Sequence, residues 1–89
     1  DLVIEPASHM VIRDGKEIQL TPKVFSLLML FVENKGRVLT RRVLEEHLYG
    51  WDGEAESNTL EVFVSQIRRK LGADLIQTIR GVGYMLKRA

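Results

Sequence analysis

The spacing of apolar residues changes along the chain, from strand-like at the start to helical in the middle and back to strand-like at the end. Residues 2–5 (Leu-Val-Ile-Glu) are a short apolar run closed by the turn signal Glu5-Pro6-Ala7-Ser8. His9–Arg13 is a second β-leaning run, and Asp14-Gly15 is a tight-turn dipeptide. Lys16–Leu20 alternates polar with apolar, so Ile18 and Leu20 share one face. Three short antiparallel strands are predicted before Thr21.

Thr21-Pro22 then opens a helix. Threonine caps the free N–H groups, and proline suits the first helical position because its missing N–H would be unpaired anyway. Val24, Leu27, Leu28 and Phe31 follow the i, i+3, i+4, i+7 pattern, with Phe25, Met29 and Val32 on the other flank. A helix this apolar belongs at the centre of the core, and Asn34-Lys35-Gly36 ends it. Arg37–Leu39 is a link or one strand. Thr40 caps a second helix to about Tyr49, with Val43, Leu44 and Leu48 inward and Gly50 stopping it. Gly50–Glu56 is a loop. Ser57 or Asn58 caps a third helix to Leu71, Asn58 and Glu61 standing at capping-box spacing. Leu75–Ile79 and Tyr84–Lys87 are strands about the turn Arg80-Gly81-Val82-Gly83.

The third helix divides into two faces. At about 100° per residue, Leu60, Val64, Ile67 and Leu71 fall in one stripe about 60° wide, which is the core face. Opposite lie Asn58, Val62, Ser65, Gln66 and Arg69, with Thr59 and Lys70 at the edge and the acid Glu61 on the flank. Amides and arginine read base edges in a DNA major groove, an apolar side chain meets a thymine methyl, and the groove admits one helix. Two helices joined by a short loop form a helix-turn-helix. An arginine on a glycine-tipped β-ribbon suits the adjacent minor groove. Together these features predict an α+β winged helix-turn-helix: an N-terminal antiparallel sheet, three helices and a C-terminal β-hairpin wing.

Charge at first opposes that reading, since the net formal charge of the 89 residues is only +1. The halves differ, however. Residues 1–56 hold 7 Lys/Arg against 10 Asp/Glu, a net of −3, and residues 57–89 hold 6 against 2, a net of +4. An electropositive end fits an anionic partner. The absence of cysteine excludes a disulfide scaffold and thiolate metal sites. The longest apolar stretch, Leu27–Val32, is far short of the roughly 20 residues a bilayer needs, and no signal peptide is visible; a cytoplasmic location is expected.

The segment Ser57-Asn-Thr-Leu-Glu-Val-Phe-Val-Ser-Gln-Ile-Arg-Arg-Lys-Leu-Gly72, followed by Ile76-Gln-Thr-Ile-Arg-Gly-Val-Gly-Tyr84, resembles the DNA-binding domain of OmpR/PhoB-type response regulators. Leu20–Leu28 is similar to that family's first-helix entry and Val38–Leu44 to its second, and the third helix looks closest to the PmrA/QseB branch. The resemblance implies transcriptional regulation in a bacterial two-component system, with a receiver domain normally preceding this one and absent here. It places Asn58, Thr59, Val62, Ser65 and Gln66 in the major groove, Arg68, Arg69 and Thr78 at the DNA backbone, and Arg80 in the minor groove. Several relatives carry arginine where Gln66 stands, so their base preference does not carry over; glutamine tends toward adenine and arginine toward guanine. Some carry histidine where Phe63 stands, so a phosphate contact is lost here. The loop holding Trp51, Asp52, Glu54 and Glu56 corresponds to the segment that meets RNA polymerase, against the plainer reading of a solvated loop. The resemblance also implies two domains head-to-tail on a direct repeat, an isolated domain that is monomeric, and a full-length protein that dimerises on phosphorylation. The family's first sheet usually has four strands against three counted here, so the chain is expected to begin just inside the domain boundary.

Other chemistries fit poorly. Asp52-Gly-Glu-Ala-Glu56 spaces acids like the start of a calcium loop, but Phe63 stands where a bidentate glutamate is needed. His9 and His47 are predicted as surface residues of a strand and a helix flank, with no ligand partner near in sequence. No nucleophile–base pair can be argued, so no enzyme, cofactor or metal is expected. The alternative is a winged-helix module that docks proteins and not DNA. Such a surface centres on large apolar anchors, and the outer face of the third helix offers only Val62.

Overall fold

The computed structural model describes residues 2–52 and 59–87, with the backbone alone at 49–52. The N-terminal strands β1 (Leu2–Glu5), β2 (Met10–Arg13) and β3 (Lys16–Gln19) form one antiparallel meander in that order. Its second hairpin pairs Arg13 with Lys16 across Asp14 (φ 53°) and Gly15 (φ 80°). Both central residues have the positive φ that a type I′ turn requires. His9, expected in β2, instead sits in the β1–β2 turn at φ 55°, with its ring 4.9 Å from that of Phe25. Ser8 and His9 donate to the carbonyls of Glu5 and Pro6, closing a longer turn than the sequence suggests.

The first helix, α1 (Pro22–Glu33), begins as predicted: Thr21 is extended, and its Oγ1 accepts from the Val24 N–H at 3.4 Å. Val24, Phe25, Leu27, Leu28 and Phe31 are buried. Asn34 ends the helix, its Nδ2 donating to the Leu30 carbonyl. The link that follows contains a two-residue strand, β4 (Leu39–Thr40), and Thr40 Oγ1 caps α2 (Arg41–Asp52) through the Val43 N–H. This helix passes Gly50, where a stop was expected. A helical glycine costs only about 1 kcal/mol relative to alanine, and Gly50 is not among the glycines with positive φ.

The recognition-helix candidate α3 (Thr59–Leu71) buries Leu60, Val64, Ile67 and Leu71, the four positions of the predicted stripe. Strands β5 (Ile76–Ile79) and β6 (Gly83–Leu86) then form the hairpin. They join β4 in a second sheet of order β4-β6-β5, with Thr40 opposite Gly83 and Leu39 opposite Tyr84. The hairpin is therefore anchored in the body of the domain and does not stand alone. One apolar cluster runs from Val11 through Leu28, Phe31, Leu44 and Ile67 to Ile76 and Leu86. Among the described residues no helix is long and apolar enough to cross a membrane, and none of their acidic and histidine side chains cluster as a metal site.

Candidate nucleic-acid interface

The outer face of α3 is presented to solvent as its wheel predicts. Val62 is 43% exposed, Ser65 and Arg69 are exposed, and Thr59 and Gln66 are half-buried. Val62, Ser65, Gln66 and Arg69 line one shallow hollow together with Glu61. The acid is neutralised from α2: Arg41 forms an ion pair with Glu61 and a second with Glu45, Nε to Oε2 at 2.9 Å. The hydrogen bond that Arg41 donates to Glu61 is the largest influence raising the Arg41 pKa above its ordinary value. A phosphate-bearing partner approaching this face thus meets a paired carboxylate and not a bare one. Sequence spacing gave Glu61 to Asn58 as a capping box; its described partner is Arg41, twenty residues back in the chain.

The three consecutive cations at the end of α3 diverge. Arg69 and Lys70 are exposed, and among the described residues neither makes an ion pair. Arg68 turns inward. It donates to the Ile76 carbonyl and to Thr78 Oγ1, and its guanidinium lies over the Tyr84 ring. Arg68 and Thr78, both expected at DNA phosphates, are bonded to each other. The signal was present in the wheel: Arg68 falls about 40° from the edge of the apolar stripe, whereas Arg69 points away from it.

Arg80 is exposed at the start of the wing turn, which Gly81 closes with φ 75° and the Val82 N–H closes by donating to the Ile79 carbonyl at 2.9 Å. Arg41 also lies beside this turn, lining a recess with Thr78, Gly81 and Val82. Arg13 of β2 donates to the Leu71 carbonyl and binds Asp74 at 3.2 Å, so a residue of the first sheet caps the end of α3. Neither Arg41 nor Arg13 carries a local sequence signal for these roles, because their partners are distant in the chain. Asn58, Glu54 and Glu56 lie outside the described residues, as do the side chains of Trp51 and Asp52. His47 is not merely a flank residue: its Nε2 lies 2.8 Å from Ser26 Oγ and links α2 to α1.

The arrangement is a helix offering amide, hydroxyl, methyl and cationic groups, beside a hairpin that carries an exposed arginine. A family model described as "Transcriptional regulatory protein, C terminal" matches residues 15–86. The chain belongs to that family. The response regulator protein PmrA of Pseudomonas aeruginosa is 50% identical over 84 residues, covering 94% of this chain and 38% of that protein. The transcriptional regulatory protein QseB of Escherichia coli O157:H7 is 45% identical over 86 residues, covering 97% and 39%. This OmpR/PhoB-type domain is therefore on the PmrA/QseB-like branch, as the third helix suggested, and it spans about two fifths of the length of those relatives. The DNA-binding domain of Klebsiella pneumoniae RstA, solved in complex with the RstA box, superposes with a TM-score of 0.80 at 26% identity, covering 97% of this chain and 90% of that one. The α+β winged helix-turn-helix is thereby established for the chain.

Proposed function

We propose that this domain binds double-stranded DNA sequence-specifically, as the output module of a two-component response regulator that controls transcription. The carrying observation is the outer face of α3: Val62, Ser65, Gln66 and Arg69 are accessible together, and Glu61 beside them is paired with Arg41. In this reading Thr59, Val62, Ser65 and Gln66, with Asn58 ahead of them, meet base edges in the major groove. Arg69 contacts a phosphate, and Arg80 enters the minor groove. The RstA domain, solved with its DNA box, supports the choice of partner. No part of the proposal requires an enzyme activity.

The finer parts rest on kinship. A receiver domain precedes this one in the full-length protein, phosphorylation pairs two such proteins, and their output domains sit head-to-tail on a direct repeat in the cytoplasm. The loop with Trp51, Asp52, Glu54 and Glu56 offers acids to RNA polymerase.

The test is binding to duplex DNA across a salt series. Neutralising about 3 to 5 phosphates gives a log–log slope of roughly −3 to −4.5. A flat salt dependence, or failure to enrich any duplex from a random pool, defeats the proposal in favour of a protein-docking winged helix.

A further inference from the structure

One side chain ties the third helix to the root of the wing. Arg68 reaches from α3 to β5, where Nη2 donates to the Ile76 carbonyl at 2.8 Å and to Thr78 Oγ1 at 2.7 Å, and Nε donates to the same carbonyl at 3.1 Å. Its guanidinium carbon lies 5.7 Å from the centroid of Tyr84 on β6. A single residue of the recognition helix therefore grips both strands of the hairpin. β5 is an edge strand of its sheet, and an edge carbonyl needs a partner from outside the ladder. The planar guanidinium meets the need: one edge binds the carbonyl and hydroxyl while its face lies against an aromatic ring. A lysine ammonium cannot do both.

The grip lies two residues from the wing tip. Ile76 and Thr78 lie two apart on the same side of β5, and Arg80 follows directly where the strand ends at Ile79 and the wing turn begins. Fixing Ile76 and Thr78 fixes the base from which Arg80 projects. Nε and Nη2 of Arg68 form the edge that would bind a phosphate bidentately, and both are engaged within the protein.

We propose that Arg68 is a positioning residue for DNA recognition. It locks the wing at one angle to α3, so that Arg80 enters the minor groove when α3 seats in the major groove. The inference rests on the DNA reading above and adds to it a division of labour among the three adjacent cations. Arg69 touches DNA, whereas Arg68 sets where Arg80 lands.

The experiment uses a duplex enriched from a random pool by the wild-type domain, and a second copy in which flanking A·T pairs are replaced by diaminopurine·T. The added 2-amino group obstructs the minor groove and leaves the major-groove edge intact. Wild-type protein is expected to bind the modified duplex about tenfold more weakly, and R80A to lose about tenfold on the plain duplex with no further loss on the modified one. R68M and R68K are expected to behave like R80A, and the R68M/R80A double variant no worse than R80A. In the free protein, R68M speeds amide hydrogen exchange at residues 79–83 several-fold and leaves the middle of α3 unchanged. T78V, which removes one acceptor, gives a smaller change of the same kind.

Three results overturn the inference. The losses of R68M and R80A multiply, with the salt slope shallower by about one in R68M, as for a phosphate contact. R68M keeps full sensitivity to diaminopurine. Wild-type protein is blind to the 2-amino group, which removes the minor-groove contact but spares the major-groove reading. Failure of wild type to enrich any duplex is a different result, since it defeats the DNA reading itself and the positioning role with it.

Discussion

Each end of the domain carries a three-stranded antiparallel sheet, but the two are built on opposite plans. In the first sheet the strands follow one another in sequence and are joined by local turns. Of its strand residues only Val11 is buried, the rest being half-buried or exposed. In the second, β4 comes from the link ahead of α2 and pairs with β6 from the end of the chain. Leu39, Ile76, Gly83, Tyr84 and Leu86 are all buried there. The first sheet is a local, acidic-half structure laid against the core. The second is part of the core, and two arginines from the helices, Arg41 and Arg68, lie against it. A wing that reaches DNA must hold its angle under load, and the second plan provides that.

The sharpest way to break this comparison is at Gly83. A Cβ there would stand 2.0 Å from the Leu39 carbonyl oxygen and 3.0 Å from the Arg41 backbone nitrogen. Both neighbours are backbone, so β4 and β6 must separate. Gly83→Ala is expected to cost more than about 4 kcal/mol, in the range reserved for a broken core feature, measured by chemical denaturation. Gly15→Ala in the first sheet meets nothing within 4 Å and faces only its positive φ; it should cost about 1 kcal/mol. Comparable losses from both would show the two sheets to be equally integrated.

The next contrast sets Ile76→Ala against Val11→Ala. Ile76 is 2% exposed and Val11 0%. Truncating a buried isoleucine costs about 2–5 kcal/mol and the smaller valine about 1–3 kcal/mol. The difference that matters is in DNA affinity at a concentration where both variants are folded. Ile76→Ala keeps the carbonyl that Arg68 grips but empties the buried seat of β5, so the strand that carries the wing loosens and binding should weaken. Val11→Ala should leave binding unchanged. Equal weakening in the two variants would erase the distinction between scaffold sheet and reading sheet.

Periodicity made the interior legible. Leu60, Val64, Ile67 and Leu71 were placed by angle alone, and Thr21 and Thr40 by capping chemistry, because these depend on neighbours within a turn or two. Asp14-Gly15 was legible for the same reason. In the run Arg68-Arg69-Lys70 the wheel sets Arg68 nearest the apolar stripe, but its partners Ile76 and Thr78 lie on another element and no local pattern names them. Arg13 on Leu71 and Arg41 on Glu61 join positions far apart in the chain, and no local pattern encodes them. The end of α2 was misread because glycine is a weak stop when the chain beyond it can continue the helix. Thus the solvent-facing surface of α3 followed from the sequence, while the contacts that orient it came from the fold.

On the reading face itself, smaller effects separate base from backbone. Gln66→Ala is expected to relax preference at one base position, at a cost of roughly 1–3 kcal/mol, seen by enriching duplexes with each protein and comparing the recovered sequences. Arg69→Ala should weaken all duplexes alike and make the salt slope shallower by about one. Uniform weakening from Gln66→Ala would remove that residue from base reading. An unchanged slope in Arg69→Ala would remove it from the backbone.

The smallest expected effect lies at the tie between the two ends of the molecule. The hydrogen bond from Arg13 is the largest influence lowering the Asp74 pKa below its ordinary value of 3.8, followed by a backbone hydrogen bond and the charge attraction of Arg13. A carboxylate whose pKa falls on folding contributes stability that is fully present above the unfolded pKa and is lost as pH falls through the folded one. The stability difference between wild type and Asp74→Asn should therefore be constant from neutral pH down to near 3.8 and shrink below it. It should also be small, because Asp74 is exposed and water and salt screen the pair. Arg13 has a second partner that does not titrate, the Leu71 carbonyl at the end of α3. Arg13→Met should accordingly destabilise more than Asp74→Asn, and the excess should persist in acid. An excess that vanished together with the carboxylate would mean that the first sheet is fastened to the recognition helix by charge alone, and that the helix cap contributes nothing to holding the two ends together.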